Sequence, residues 1–223
     1  MPNDIRIDRL IAQHFLRPGD VVIDGGAHDG STAAMFIDEG ASRVLAFEPV
    51  AELRQSIALY FDSYRLKLPN VDVWPVALSN RRGQALLRLS TAHDEGSTVN
   101  PVMIDLFPDV YGEYTGRMVS TMPLDDLVGM VCPDYIKLDV EGAEAWVLRG
   151  AQQLYAGEHP PRVTVCELYP PVREEGLALL REYHKRLARV FLDWNDDLAF
   201  ELPGIGVYDD LPPCPPMFVG WNE

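Results

Sequence analysis

The stretch YIKLDVEGAEAWVLRG, residues 135–150, gathers Lys137, Asp139, Glu141 and Glu144 behind a short apolar run. Ile136, Leu138 and Val140 alternate with Lys137, Asp139 and Glu141, the period of a strand entering a turn at Gly142. In a sheet covered on both faces such charges belong at the carboxyl end, where open α/β sheets bind ligands. A carboxylate there can orient an acceptor hydroxyl and take its proton, or bind the cationic end of a ligand. Asp139 and Glu141 are therefore the candidate catalytic residues, and the residue types leave open which takes which role. Lys137 is expected to pair with Asp139, and Glu144 to complement the helix dipole from the first helical turn. Glu167, in VTVCELYP, ends the next strand in the analogous place, with Tyr169 just beyond. Scattered Asp and Glu make a poor ligand set, so no metal is assigned.

A second pattern lies upstream in VVIDGGAHDG, residues 21–30. Asp24 ends a strand, Gly25 and Gly26 permit a tight turn, and Gly30 lets the following helix approach the strand, its amides aimed at a ligand. Gly25-x-Ala27-x-x-Gly30 fits a loose dinucleotide fingerprint, and Glu48 ends the next strand where a carboxylate can bind a ribose. Asp24 and Asp29 flank that turn, however, and like charges would repel a pyrophosphate. The sulfonium and amino group of S-adenosyl-L-methionine suit the acids better, and its ribose diol also suits Glu48. The candidate cofactor-binding residues are Asp24, Gly25, Gly26, His28, Gly30 and Glu48. An NAD(P)-dependent oxidoreductase on a Rossmann-like sheet, or a non-catalytic cofactor-binding protein, is the alternative.

Those residues need a sheet with helices on both faces, and the chain supplies one. Residues 7–15 form an amphipathic helix ended by Pro18-Gly19; strands at 21–23 and 43–47 alternate with helices ending near Gly40 and spanning 51–67. VDVWPVAL reads as a third strand that Pro75 limits. Residues 80–116 break the pattern, with one strand at 85–89 and then a turn-rich stretch. Trp74, Phe107, Tyr111 and Tyr114 in or near it suggest a cover that packs on something. Alternation resumes with a short helix led by Pro123, the strand of the opening stretch, a strand at 163–168 and a helix in EEGLALLREYHKRLARV. RVFLDW and MFVGW add further strands. Strand and helix in alternation define an α/β fold with a mostly parallel sheet.

The 223 residues suit one domain, with a substrate-cover insertion at about 80–116. A net charge of −15, from 34 acidic and 19 basic side chains, argues against nucleic acid and anionic membrane surfaces as partners. Cys132, Cys166 and Cys214 lack metal-ligand spacing and read as reduced thiols, mostly buried, in a cytoplasmic setting. The opening residues have charges interrupting every apolar run, unlike a signal peptide or membrane span. The oligomeric state stays open, a dimer included.

VVIDGGAHDG, VLAFEP, VALSN, STMPLDDL and YIKLDVEGAEAWVLRGA, in this order and spacing, resemble the FkbM family of S-adenosylmethionine-dependent methyltransferases from about Val21 to Leu168. The resemblance implies a class I methyltransferase (Rossmann-like) fold, with a seven-stranded sheet carrying one antiparallel strand near its edge. It implies that the turn from Asp24 to Gly30 holds the amino-acid and ribose parts of the cofactor and that Glu48 bonds the ribose hydroxyls. It also implies O-methylation of a small-molecule hydroxyl, on a sugar or secondary metabolite. Many relatives carry asparagine where this chain has His28, which would bring pH sensitivity if the imidazole touches the cofactor.

Overall fold

The computed structural model describes residues 4–63, 70–91, 96–192, 197–201 and 216–222. Helix α1 (Asp4–Phe15) leads into β1 (Val21–Gly25), α2 (Ser31–Asp38), β2 (Arg43–Phe47), α3 (Ala51–Ser63) and β3 (Val71–Trp74). A small sheet intervenes, formed by β4 (Ala77–Leu78), β5 (Gly83–Ser90), β6 (Ser97–Thr98) and β7 (Tyr114–Met122), with α4 (Val102–Leu106) and α5 (Pro108–Tyr111) between β6 and β7. A 3₁₀ turn at Leu124–Leu127 then leads to β8 (Tyr135–Leu138), α6 (Glu144–Arg149), α7 (Gln152–Ala156) and β9 (Val163–Glu167). The chain continues through α8 (Pro170–Tyr183), β10 (Arg186–Leu192), β11 (Leu198–Glu201) and β12 (Met217–Trp221).

The main sheet has the order β11-β10-β12-β9-β8-β1-β2-β3. Strands β3, β2, β1, β8 and β9 run parallel, while β12 is antiparallel to both β9 and β10, and β11 antiparallel to β10. Strand alternation divides the core. Val22, Val44, Tyr135 and Val165 face Ile11, Phe36, Ile57 and Phe61 on one side. Ile23, Leu45, Ile136 and Cys166 face Val147, Leu148, Leu177 and Leu180 on the other. Coverage of both faces explains why these strands read as nearly unbroken apolar runs.

Several expectations are corrected. The sheet has eight strands rather than seven, and two of them are reversed: β11 pairs onto β10, and its Phe200 packs against Phe15 at 5.8 Å and His14 at 5.1 Å. VDVWPVAL is not one strand. Pro75 has no N–H for the ladder, so β3 ends at Trp74, and β4 pairs with β7 in the small sheet instead. Trp74 stacks on Phe47 in the main sheet and is not part of the cover. The last helix begins earlier than expected, at Pro170, and stops at Tyr183, because His184 is extended and turns its buried ring onto Thr164 at 2.8 Å. Cys166 is buried but Cys132 is exposed, and Cys214 lies outside the described residues. No helix among the described residues is long and apolar enough to cross a membrane.

Candidate active site

A cleft of about 260 Å³ opens at the carboxyl ends of β1, β2, β8 and β9. Gly26, His28, Glu48, Lys137, Asp139, Glu141 and Glu167 line it, joined by Ile5 and Asp8 from α1 and by Leu87 and Ser97 from the small sheet. Strands and turns that are distant in sequence therefore bring both predicted groups of residues to one rim.

The floor is the turn after β1. Gly26 has φ +86°, and a Cβ there would lie 1.8 Å from the carbonyl oxygen of Asp139, so only glycine lets this turn press against the end of β8. The amides of Gly26 and Ala27 both donate to the Phe47 carbonyl at 3.1 Å. His28, itself left-handed at φ 49°, donates its amide to Glu48 Oε2 at 3.1 Å, and Val50 donates to Glu48 Oε1 at 2.7 Å. Burial raises the Glu48 carboxyl above its ordinary value, against the lowering pull of these two amides. Each oxygen keeps a further lone pair for a ligand hydroxyl. The His28 Nε2 is buried with no hydrogen-bond partner, a polar atom at the cleft wall that a bound group would satisfy. Gly25 pairs in register with Phe47 and Leu138, and Gly30 precedes the first residue of α2; neither lines the cleft.

Beneath the rim, Lys137 Nζ sits 3.0 Å from Asp139 Oδ2 and 3.5 Å from Asp8 Oδ2. Burial works against its charge, but Asp139, Asp8, Asp24 and Glu167 outweigh it and hold the ammonium well above the ordinary lysine value. Asp24 is the register partner of Lys137, wholly buried and outside the cleft lining, and neither of its oxygens has a hydrogen-bond partner. Burial raises its pKa to about 7 despite Lys137. Burial also pushes Glu167 well up, with Asp139 adding to it. The expected pairing of Lys137 with Asp139 is present. Asp8 is a site residue that sequence reasoning missed: one aspartate on an amphipathic helix carries no signal that it reaches a strand end.

Asp139 and Glu141 differ in surroundings. The Asp139 side chain is 29% exposed, and Lys137 is its ion-pair partner. Glu141 adopts φ 54°, and its Oε2 accepts from the Tyr111 hydroxyl and, at 2.7 Å, from the Tyr169 hydroxyl. Burial and the Glu141 charge push both phenols far above the ordinary tyrosine value. Glu144 lies under the same turn, fully buried, with Oε1 accepting from Val140 at 2.9 Å and Gly142 at 3.2 Å. Burial raises its pKa to about 8. The aromatics of the expected cover are split: Phe107 meets Tyr169 edge-on at 5.7 Å and Tyr111 is buried, whereas Tyr114 is exposed. Tyr111 carried only the general signal of an aromatic-rich stretch.

The strand order, with a cleft at the strand ends and an antiparallel strand inserted beside β9, is that of a class I methyltransferase fold. A model of the methyltransferase FkbM domain matches residues 24–198, and the chain belongs to that family. It is 25% identical over 218 residues to the 2-O-methyltransferase NoeI of Sinorhizobium fredii (strain NBRC 101917 / NGR234), covering 80% of this chain and 86% of that one. Among solved structures it resembles the methyltransferase FkbM of Methylobacillus flagellatus KT, with a TM-score of 0.59 and 16% identity over 96% of this chain. This chain spans about half, 48%, of that protein. The C-terminal domain of precorrin-6Y C5,15-methyltransferase from Rhodobacter capsulatus shares the fold at a TM-score of 0.51 and 15% identity, over 96% of this chain and 85% of that one. So does a protein described as an rRNA-methylase from Clostridium thermocellum, at 0.52 and 10% over 96% and 93%. The expectation against nucleic acid rests on net charge alone. Family membership implies a cofactor of the S-adenosylmethionine type, in place of the dinucleotide that the glycine spacing alone allowed.

Proposed function

We propose that the chain is an S-adenosyl-L-methionine-dependent O-methyltransferase acting on a hydroxyl of a small molecule, a sugar or secondary metabolite. The observation that carries this reading is the cleft itself: a glycine turn and Glu48 on one side, and Asp8 and Asp139 paired with a single lysine on the other. That charge balance favours a cationic ligand over a pyrophosphate. The fit of the cofactor is supported by the orphaned His28 Nε2 and by the spare lone pairs of Glu48.

In this reading Gly26, His28 and Glu48 hold the cofactor directly. Gly25 and Gly30 shape the turn, and Asp24 lies buried beneath it as the register partner of Lys137. Bound there, the cofactor would supply an electrophilic methyl group on a sulfonium. Asp139 would orient the acceptor hydroxyl and receive its proton as the oxygen gains the methyl group, with Lys137 fixing the carboxylate. The relative named a 2-O-methyltransferase supports oxygen as the accepting atom. The sugar or metabolite class comes from the family resemblance, and the segment around residues 80–116 is the part of the single domain we assign to acceptor choice. The free-thiol composition supports a cytoplasmic site of action.

The test is transfer of labelled methyl from S-adenosylmethionine into a pooled small-molecule extract. Label in a base-stable ether product is expected. Cofactor binding with no transfer to any fraction would instead favour a non-catalytic binding protein.

A further inference from the structure

Glu141 is the point where three separate elements meet. Tyr111 comes from α5, Tyr169 precedes α8, and both hydroxyls reach the same carboxylate oxygen. The backbone of the same turn is held too: Thr98 Oγ1 donates to the Glu141 carbonyl at 2.6 Å, and Asn100 Nδ2 to the Gly142 carbonyl at 2.7 Å. Met103 fills the space over Gly142, where a Cβ would come within 2.5 Å of its sulfur. Residues 97–111 are thus docked on the β8–α6 turn by hydroxyl, amide and apolar contacts together.

Two features set Glu141 apart from a proton acceptor. A general base must have an oxygen within hydrogen-bond reach of the proton it takes. Glu141 Oε2 already receives two phenol hydroxyls, so both lone pairs of that oxygen are taken, whereas Asp139 shares its Oδ2 with Lys137 and keeps a partly exposed side chain. Glu141 also keeps a left-handed backbone without being glycine, a conformation the contacts on its turn hold in place. Asp139, two residues earlier, lines the cleft, remains 29% exposed and is held by Lys137.

Building on the methyltransferase reading, we propose that Glu141 is a positioning residue: with Tyr111 and Tyr169 it anchors the cover over the acceptor side of the cleft. Asp139 is then the carboxylate of this turn that meets the acceptor.

Hydrogen–deuterium exchange on Glu141→Ala, Glu141→Gln and Tyr111→Phe tests this, alongside calorimetry with S-adenosylhomocysteine. Glu141→Ala and Tyr111→Phe should speed exchange at amides 100–111 at least tenfold, with β1 and β8 still protected and S-adenosylhomocysteine affinity within threefold of wild type. Glu141→Gln keeps an accepting oxygen and should restore most of the protection. Unchanged cover exchange in Glu141→Ala, or a Gln variant as loose as the Ala variant, would overturn the proposal. If Glu141→Ala does not fold, Tyr111→Phe decides by the same readout. Labelled-methyl transfer into the pooled extract should persist in Glu141→Gln within about tenfold; a hundredfold loss with a protected cover would assign Glu141 to the chemistry instead. Failure of the wild type to bind S-adenosylhomocysteine would count against the cofactor reading alone, because the exchange result does not depend on it.

Discussion

Gly26 and Asp139 are in backbone contact: the turn that follows β1 rests on the carbonyl oxygen at the end of β8, 1.8 Å from where a Cβ on Gly26 would stand. The candidate cofactor turn and the candidate acceptor-side carboxylate are therefore set at one fixed separation by the backbone, before any side chain contributes.

Gly26→Ala should destabilise the protein by more than about 3 kcal/mol, because strain at positive φ is joined by a backbone collision that no rotamer relieves. Gly19 is the control: it also has positive φ, +97°, but nothing lies within 4 Å of the place its Cβ would take. Gly19→Ala should cost only about 1–2 kcal/mol. Urea unfolding of both variants measures the difference, and equal losses would contradict the close approach.

Glu48→Ala should weaken S-adenosylhomocysteine binding by about 1–3 kcal/mol through loss of a charged acceptor. Glu48→Gln should fall between Ala and wild type, since its carbonyl still accepts. A wild-type dissociation constant for both variants in calorimetry would remove Glu48 from the cofactor site.

Asp139→Asn should lower methyl transfer into the pooled extract far more than it lowers S-adenosylhomocysteine affinity. Asn keeps the shape and loses the proton-accepting charge. Turnover equal to wild type would leave transfer driven by positioning alone.

Stability should fall as the pH rises. Glu144 keeps its proton in the folded protein up to about pH 8, while its ordinary value is 4.5. Asp24 behaves alike, at about 7 against 3.8. Between each pair of values the folded state holds a proton that the unfolded state has released, so this contribution is complete below the lower value and lost as pH rises through the upper one. Unfolding free energies from urea titrations should therefore decline from about pH 5 to about pH 8.5, by roughly 5–7 kcal/mol at most, and Glu144→Gln should flatten the decline. An identical profile in the Gln variant would show that Glu144 is already ionised when folded.

The strands that carry the site were readable because each is an apolar run ended by a glycine or an acid: β1 before Gly26, β2 before Glu48, β8 before Asp139. Placement of Asp139, Glu141 and Glu48 at one rim followed from that. What the residues did not disclose depends on pairing and packing between distant segments. Pro75 marked a break, but not that β4 would leave for another sheet. The helix period carried past Tyr183 into LARV, since alternating and helical apolar patterns overlap over so few residues; the burial of His184 on Thr164 decides it. Asp8 and Tyr111 became site residues only through the fold, as their own neighbourhoods in the chain carry no trace of Lys137 or Glu141.

Calorimetry with S-adenosylmethionine, its demethylated product and NAD, on one preparation of folded protein, tests the central claim most directly. Saturable heat with the first two and none with NAD is the predicted result. Silence with both sulfur compounds, or heat with NAD alone, would contradict a cleft built for a sulfonium-bearing ligand.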